Sequence, residues 1–210
     1  MQPFDRVIGA AAPLLNDDIN TDQIAPAVQS FKPDYAELLF ARWRRSPEGV
    51  EFPGFVLNRA PFRQARVLVA RENFGSGSSR ESAVWALLAF GIRVVVARSF
   101  ADIFRENCLK NGLLPIVLAG ANAAAFEAAV VADDGASPCT VDLRAQTIEG
   151  PGPQTYHFSL AAAERDALLR GLDDIGLTLE ALASIVGWEN QMARKQPWLQ
   201  QIPNGSAVWR

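Results

Sequence analysis

The sequence predicts an α/β fold with a parallel βαβαβ core and a late antiparallel hairpin. Three observations lead there. Between residues 65 and 119, three short apolar runs ("ARVLVA", "IRVVVA" and "LLPIVLA") alternate with two helical patterns. Their connections are short, so right-handed crossovers make the strands parallel neighbours. The runs are apolar throughout, as in strands buried on both faces. Further on, "CTVDLRAQTI" and "QTYHFSL" alternate apolar and polar residues on either side of "GPGP", the pattern of a hairpin with one wet face.

The elements follow in chain order. "DRVIGAAAPLL" reads as a first strand, and "NDDINTDQIAP", rich in Asn, Asp and Thr and closed by Pro26, as an ordered loop. "KPDYAELLFARWRR" reads as one helix starting at Pro33-Asp34. Tyr35, Leu38, Leu39 and Trp43 share a face, and Arg42, Arg44 and Arg45 complement the dipole at the C-terminus. Residues 46–65, with three prolines and two glycines, are irregular. "ESAVWALLAFG" gives a helix stopped by Gly91. "SFADIFRENCLKNG" gives another, stopped by Gly112, with Phe100, Ile103, Phe104 and Cys108 on one face. An alanine-rich helix (121–132), the hairpin, and helical patterns around 160–170 and 176–195 follow. The expected organisation is one domain, residues 1–199, and a Trp- and Pro-rich tail, residues 200–210, that packs loosely.

The 210 residues are 49% apolar, enough for one sizeable core, and carry a net charge of −3. That balance gives no general attraction for nucleic acid or an anionic membrane. No stretch approaches the roughly 18 consecutive apolar residues of a membrane span. "MQPFDRVIGA" lacks the basic head and apolar core of a secretory leader, so a cytoplasmic location is expected. Cys108 and Cys139 are far apart and form no CxxC or Cys/His cluster. No metal site or iron–sulfur cluster is therefore expected in this chain, and a disulfide is disfavoured in a reducing compartment.

The chemistry concentrates in "RENFGSGSSRES", between a buried strand and a helix N-terminus. Free backbone N–H groups and a partial positive charge gather there. Gly75 and Gly77 let the backbone turn and approach a ligand. Ser76 lies between them. Ser78 and Ser79 are placed to cap the helix and to donate to an oxyanion. Arg80 adds a planar fork suited to a carboxylate or phosphate. The whole reads as an anion cradle. It is not a P-loop, because no Lys follows at the required spacing, and no serine fits GxSxG. His157, the only histidine, lies in an alternating strand between Tyr156 and Phe158 and is expected to face solvent. The near match to GxGxxG, with Arg80 in place of the third glycine and Arg98-Ser99 available for a 2′-phosphate, keeps an NADP-binding module as the alternative.

"NFGSGSSRESAVWAL", "SFADIFRENCLKNGLLP", "NDDINTDQIAP" and "LDDIGLTLE" together resemble the small subunit of 3-isopropylmalate dehydratase, the detached swivelling domain of the aconitase superfamily. The resemblance runs over roughly residues 5–199. It implies a three-layered β/β/α swivelling domain and a separate large subunit that bears a [4Fe–4S] cluster. It also implies a small dicarboxylate substrate, isomerised by loss and return of water. By the same resemblance, Ser78 is the catalytic base, Arg80 and Ser79 bind substrate, and Thr21 and Asp22 complete the pocket. The family pattern reads GSSREHAPWAL; here Ser82 and Val84 stand in place of the His and Pro, and Ser76 where a Cys is common. Reaction type is thereby more firmly implied than substrate, since related subunits act on citramalate-, dimethylmalate- or homoaconitate-type acids.

Overall fold

The stretch read as one first strand is two strands in different sheets. The computed structural model describes residues 1–28 and 33–200. Strand β1 (Arg6–Gly9) pairs antiparallel with β6 (Cys139–Asp142), whereas β2 (Ala11–Pro13) pairs parallel with β3 (Val67–Val69). Beyond β2 come α1 (Thr21–Ile24), α2 (Tyr35–Leu38) and α3 (Ala41–Arg44). The core then runs β3, α4 (Ser82–Phe90), β4 (Val94–Ala97), α5 (Asp102–Asn111) and β5 (Leu114–Val117), as the sequence predicts. After α6 (Gly120–Asp133), β6, β7 (Thr147–Glu149) and β8 (Thr155–His157) form an antiparallel meander, followed by α7 (Ala162–Arg170). The parallel sheet is ordered β2-β3-β4-β5 and the antiparallel sheet β1-β6-β7-β8.

The continuous apolar runs supply two cores at once. Along β3, Val67 and Val69 face one core and Leu68 the other; along β4, Val94 and Val96 oppose Val95 and Ala97. The first face packs on Cys139, Val141, Ile148 and Tyr156 of the antiparallel sheet and on Phe126 of α6. The second packs on Ala83, Ala86 and Leu87 of α4 and on Phe104 and Cys108 of α5. Sheet, sheet and helices therefore form three layers, as the period-two geometry of strands requires. Cys108 and Cys139 are both free and buried, on opposite faces of the parallel sheet. Burial raises both thiol pKa values, that of Cys139 to about 12, so neither is a nucleophile at neutral pH.

Three expectations change. "CTVDLRAQTI" is not one strand: it turns at residues 143–146, with Gln146 at φ 54°, so two hairpins replace the single one. The helix from Pro33 begins as expected, with the Asp34 carboxylate accepting from the Ala36 and Glu37 N–H groups, but it breaks after Leu38. Phe40 sits in the left-handed region (φ 47°), donates its N–H to the Ile24 carbonyl at 2.7 Å and stacks on Trp43. Tertiary contact here overrides helical periodicity. Arg44 is consequently not a solvated terminal cation. It is 4% exposed, donates to the Ala36 and Leu39 carbonyls and to Asn58 Oδ1, and lies over the Phe90 ring. Its side chain thus satisfies carbonyls that the helix break frees.

The chain forms two compact units, Met1–Gly171 and the part from Leu172 onward. The second contains α8 (Asp174–Glu180), capped by the Asp173 carboxylate accepting from Gly176 N–H at 2.7 Å, and α9 (Leu182–Lys195). Residues 201–210, most of the tail read from sequence, lie outside the described residues, as do residues 29–32.

Candidate functional site

Parallel neighbours place their following loops at the same end of a sheet, and that edge is where open α/β sheets bind ligands. The loops after β2 and β3 meet there. Pairing continues past the strands: Gly75 N–H donates to the Ile19 carbonyl at 2.7 Å, and Thr21 N–H to the Ser76 carbonyl at 2.8 Å. On the other side, Phe74 N–H donates to the Ser99 carbonyl and the Phe74 carbonyl accepts from Ala101 N–H. Residues 74–76 are thus held from both flanks.

Two glycines shape the exit from this strip. Gly75 has φ +82°, and a Cβ there would lie 2.1 Å from Phe104 Cγ. Phe104 is buried, packed edge-on against Phe74 and parallel to Phe100. Gly77 has φ +99° but ordinary space around it, so conformation alone requires glycine there.

The chain read as an ordered loop contains a helical turn, α1. Asn20 and Gln23 form a reciprocal capping box: Asn20 Oδ1 accepts from Gln23 N–H at 2.9 Å, and Gln23 Oε1 from Asn20 N–H at 2.8 Å. The N-x-x-Q spacing was the sequence signal for it. The cap fixes Thr21, buried, and Asp22, exposed, at the start of the turn, facing the serine loop.

Ser78 is the centre of the resulting network. Its Oγ lies 2.6 Å from Thr21 Oγ1 and accepts from Arg80 Nε at 3.0 Å. Ser78 N–H donates to Thr21 Oγ1 at 3.2 Å. Either hydroxyl can donate in the Thr21–Ser78 pair, but once Ser78 loses its proton Thr21 is the donor. A negative charge on Ser78 would therefore meet two donors, Thr21 Oγ1–H and Arg80 Nε–H. Arg80 also pairs through Nη2 with Asp22, which holds its fork in place. Among the described residues Arg80 engages two of its five N–H donors, leaving three for a ligand.

Ser78, Arg80, Thr21 and Asp22, all selected from sequence, therefore converge. The Ser79 side chain stands outside this network. Ser79 is exposed, and its carbonyl accepts from Asn107 Nδ2 of α5 at 3.3 Å, which ties the loop to that helix. Neither Ser78 nor Ser79 caps α4: Glu81 occupies the cap position, and no side chain closes the first turn. The hydroxyls of Ser78 and Ser79 are thus not consumed by capping, because the helix starts only at Ser82. Ser76 contributes its carbonyl to Thr21.

The dinucleotide alternative loses its phosphate groups. Glu127 of α6 accepts from Arg98 Nε and Nη2 at 2.6 and 2.9 Å and from Arg71 Nε at 3.1 Å, so the Arg98 fork is occupied. His157 is exposed, as expected, and away from the loop in chain and sheet. Among the described residues, no three His, Cys, Asp or Glu side chains gather to hold a metal, and no helix is long and apolar enough to cross a membrane.

The Glu127 clamp joins Arg71 and Arg98, which follow β3 and β4. Burial raises the carboxyl pKa, but hydrogen bonds and charge from Arg98 and Arg71 outweigh it, and the net value is lowered. A depressed carboxylate stabilises the fold above its unfolded pKa and loses that contribution as pH falls through the folded value. Glu127→Ala is expected to cost about 2–3 kcal/mol at pH 7, discounted for the half-exposed arginines, and less at pH 4 in urea titrations.

The Aconitase C-terminal domain model matches residues 1–121, and the model for the C-terminal domain of the 3-isopropylmalate dehydratase small subunit matches residues 174–202. The 3-isopropylmalate dehydratase small subunit of Cereibacter sphaeroides is 46% identical over 208 residues, covering 95% of this chain and 100% of the relative. That of Dinoroseobacter shibae is 46% identical over 206 residues, with the same coverage. The crystal structure of 3-isopropylmalate dehydratase from Methanocaldococcus jannaschii superposes with a TM-score of 0.60 at 28% identity, covering 87% of this chain and 99% of that one. With relatives matched over their full length at this identity, this chain belongs to the 3-isopropylmalate dehydratase small-subunit family of the aconitase superfamily.

Proposed function

We propose that this chain is the small subunit of a hydro-lyase that interconverts 2-isopropylmalate and 3-isopropylmalate in leucine biosynthesis, active only with its large subunit. The observation that carries the reading is the Ser78–Thr21–Arg80 network on a chain of this family. The assembled enzyme is assigned to the cytoplasm, a compartment in keeping with two free thiols.

In this reading Ser78 Oγ removes the proton from the carbon next to the carbinol. The C–H electron pair becomes the second bond of the alkene as the C–OH bond breaks; Ser78 keeps the abstracted proton, and the hydroxyl departs as water on taking a second proton from a general acid assigned to the large subunit. Rehydration returns hydroxyl to the carbon that lost the proton and proton to the carbon that lost the hydroxyl. A serine hydroxyl is a weak base unless its oxyanion is stabilised before the proton is transferred. Thr21 and Arg80 are the preset donors that do so. The three remaining N–H donors of Arg80 grip a substrate carboxylate, and Asp22 keeps the fork aimed. Ser79 is assigned a substrate contact made on closure against the large subunit. The [4Fe–4S] cluster expected in that subunit supplies Lewis-acid polarisation of the departing hydroxyl. Closure of the two subunits excludes water and strengthens each of these polar contacts.

Arg80→Lys is expected to raise KM for the 2-alkylmalate at least tenfold, because the ammonium cannot hold Ser78, Asp22 and a carboxylate together. Steady-state kinetics on the assembled two-subunit enzyme check this; an unchanged KM removes Arg80 from substrate binding. A panel of 2-isopropylmalate, citramalate and homocitrate tests the substrate, with 2-isopropylmalate expected to have the highest kcat/KM. Calorimetric titration with NADP should show no saturable heat that is lost in Arg80→Gln.

A further inference from the structure

A second concentration of arginine lies at the opposite end of the parallel sheet. Arg66 immediately precedes β3 and Arg93 immediately precedes β4, whereas the serine loop follows β3. Together with Arg6 of the edge strand β1, these two arginines line a cavity of about 380 Å³ that also includes Gln2, Leu88 and Gly91. Among the described residues no carboxylate pairs with any of the three. Arg66 Nη1 donates to the Gly91 carbonyl at 3.1 Å, at the C-terminus of α4, and Arg93 Nη1 donates to Gln2 Oε1. Arg93 stacks over Phe4, and its Nε is buried with no hydrogen-bond partner. Burial and the neighbouring Arg66 charge lower the Arg93 pKa.

Exposed arginines are ordinarily solvated or paired and need no ligand. This group differs in three respects. It converges on one cavity, one member is half-buried with an orphaned donor, and the protein around it carries a net charge of −3. Two exposed arginines beside a half-buried one with an orphaned donor form a cationic group that a bound counter-charge stabilises. Guanidinium groups lining one cavity suit an anion with several oxygens, and Val7, Ile8 and Leu88 in the same lining suit a short carbon skeleton.

We propose that Arg6, Arg66 and Arg93 form a binding site for a small multivalent oxyanion, either a phosphate group or a compact dicarboxylate, at the end of the sheet remote from Ser78. The test uses the full chain, with inorganic phosphate and succinate as separate probes. Both are titrated at constant ionic strength against a chloride control, by calorimetry and by thermal unfolding. Saturable binding of one molar equivalent is expected, with a Tm rise that chloride does not reproduce. A preference for phosphate assigns the site to phosphorylated ligands, and a preference for succinate to dicarboxylates. Arg6→Gln and Arg66→Gln, both at exposed positions and compatible with folding, should each weaken binding about tenfold. Arg80→Gln should leave it intact. Equal responses to all three anions overturn the proposal, as does binding that survives both Arg6→Gln and Arg66→Gln but is lost in Arg80→Gln.

Discussion

Ser78→Ala, assayed in the assembled two-subunit enzyme, is expected to lower kcat by roughly 10²–10⁴-fold, the range associated with a positioned general base. The fold should survive. Ser78 is partly exposed and its side chain makes two hydrogen bonds, so the loss in stability is expected to be about 1 kcal/mol. The informative contrast is Thr21→Val, which keeps the shape of the buried residue but removes the hydroxyl hydrogen-bonded to Ser78. If Ser78 works as an oxyanion, Thr21→Val loses activity in the same sense but less, because Arg80 Nε remains as a donor. Exchange of the substrate C–H for deuterium, followed by NMR in D₂O, isolates proton abstraction from later steps. Exchange at the normal rate in Ser78→Ala would remove the serine from the role of base.

Gly75→Ala should damage the protein more broadly. The added methyl meets the Phe104 ring at 2.1 Å from Cγ, and the backbone is held at φ +82° by pairing on both flanks. Phe104 is buried between Phe74 and Phe100 and cannot swing aside. Overpacking and the left-handed conformation together are expected to cost about 3–4 kcal/mol. Any folded fraction should be nearly inactive, since displacing Ser78 by even about 1 Å costs of order 10²-fold. Gly77→Ala is the control: its methyl finds ordinary contacts 3.5 Å from Asn20 Cβ, so only the conformational cost of about 1–2 kcal/mol applies. Equal urea midpoints for the two variants would contradict the packing at Phe104.

The parallel core was legible because both determinants are local: apolar runs of strand length, and helices stopped by Gly91 and Gly112, both left-handed here. The serine loop was legible for the same reason, as its residues lie within one dozen positions. Less local features were not. Nothing in "DRVIGAAAPLL" marks the transfer from one sheet to the other between Gly9 and Ala11, because an uninterrupted run without charged residues, 7–15, spans it. The break at Phe40 depends on Ile24, sixteen residues earlier, and burial of Arg44 follows from that break. Asn107 and Glu127 support the site from α5 and α6; Asn107 lies in a stretch that carries the family resemblance, but nothing in its spacing marks the contact with Ser79, and Glu127 lies in none of those stretches. Thr21 and Asp22 came from family resemblance, and their juxtaposition with Ser78 and Arg80 follows from the adjacency of β2 and β3. Val84, which stands where the family has proline, is buried against the core, and its N–H bonds the Glu81 carbonyl at 2.9 Å. Proline could not make that bond, so the substitution adds a hydrogen bond in the first turn of α4.

The proposed division of labour gives this chain the base and the carboxylate grip, and its large partner the rest of the site. Mixing the separately purified chain and large subunit under anaerobic conditions, with 2-isopropylmalate present, tests it most directly through the ultraviolet absorbance of the alkene intermediate. Neither protein alone should produce the signal, and activity should rise with added chain to saturation at one equivalent. Turnover by the large subunit alone, or a rate that this chain leaves unchanged, would contradict that division.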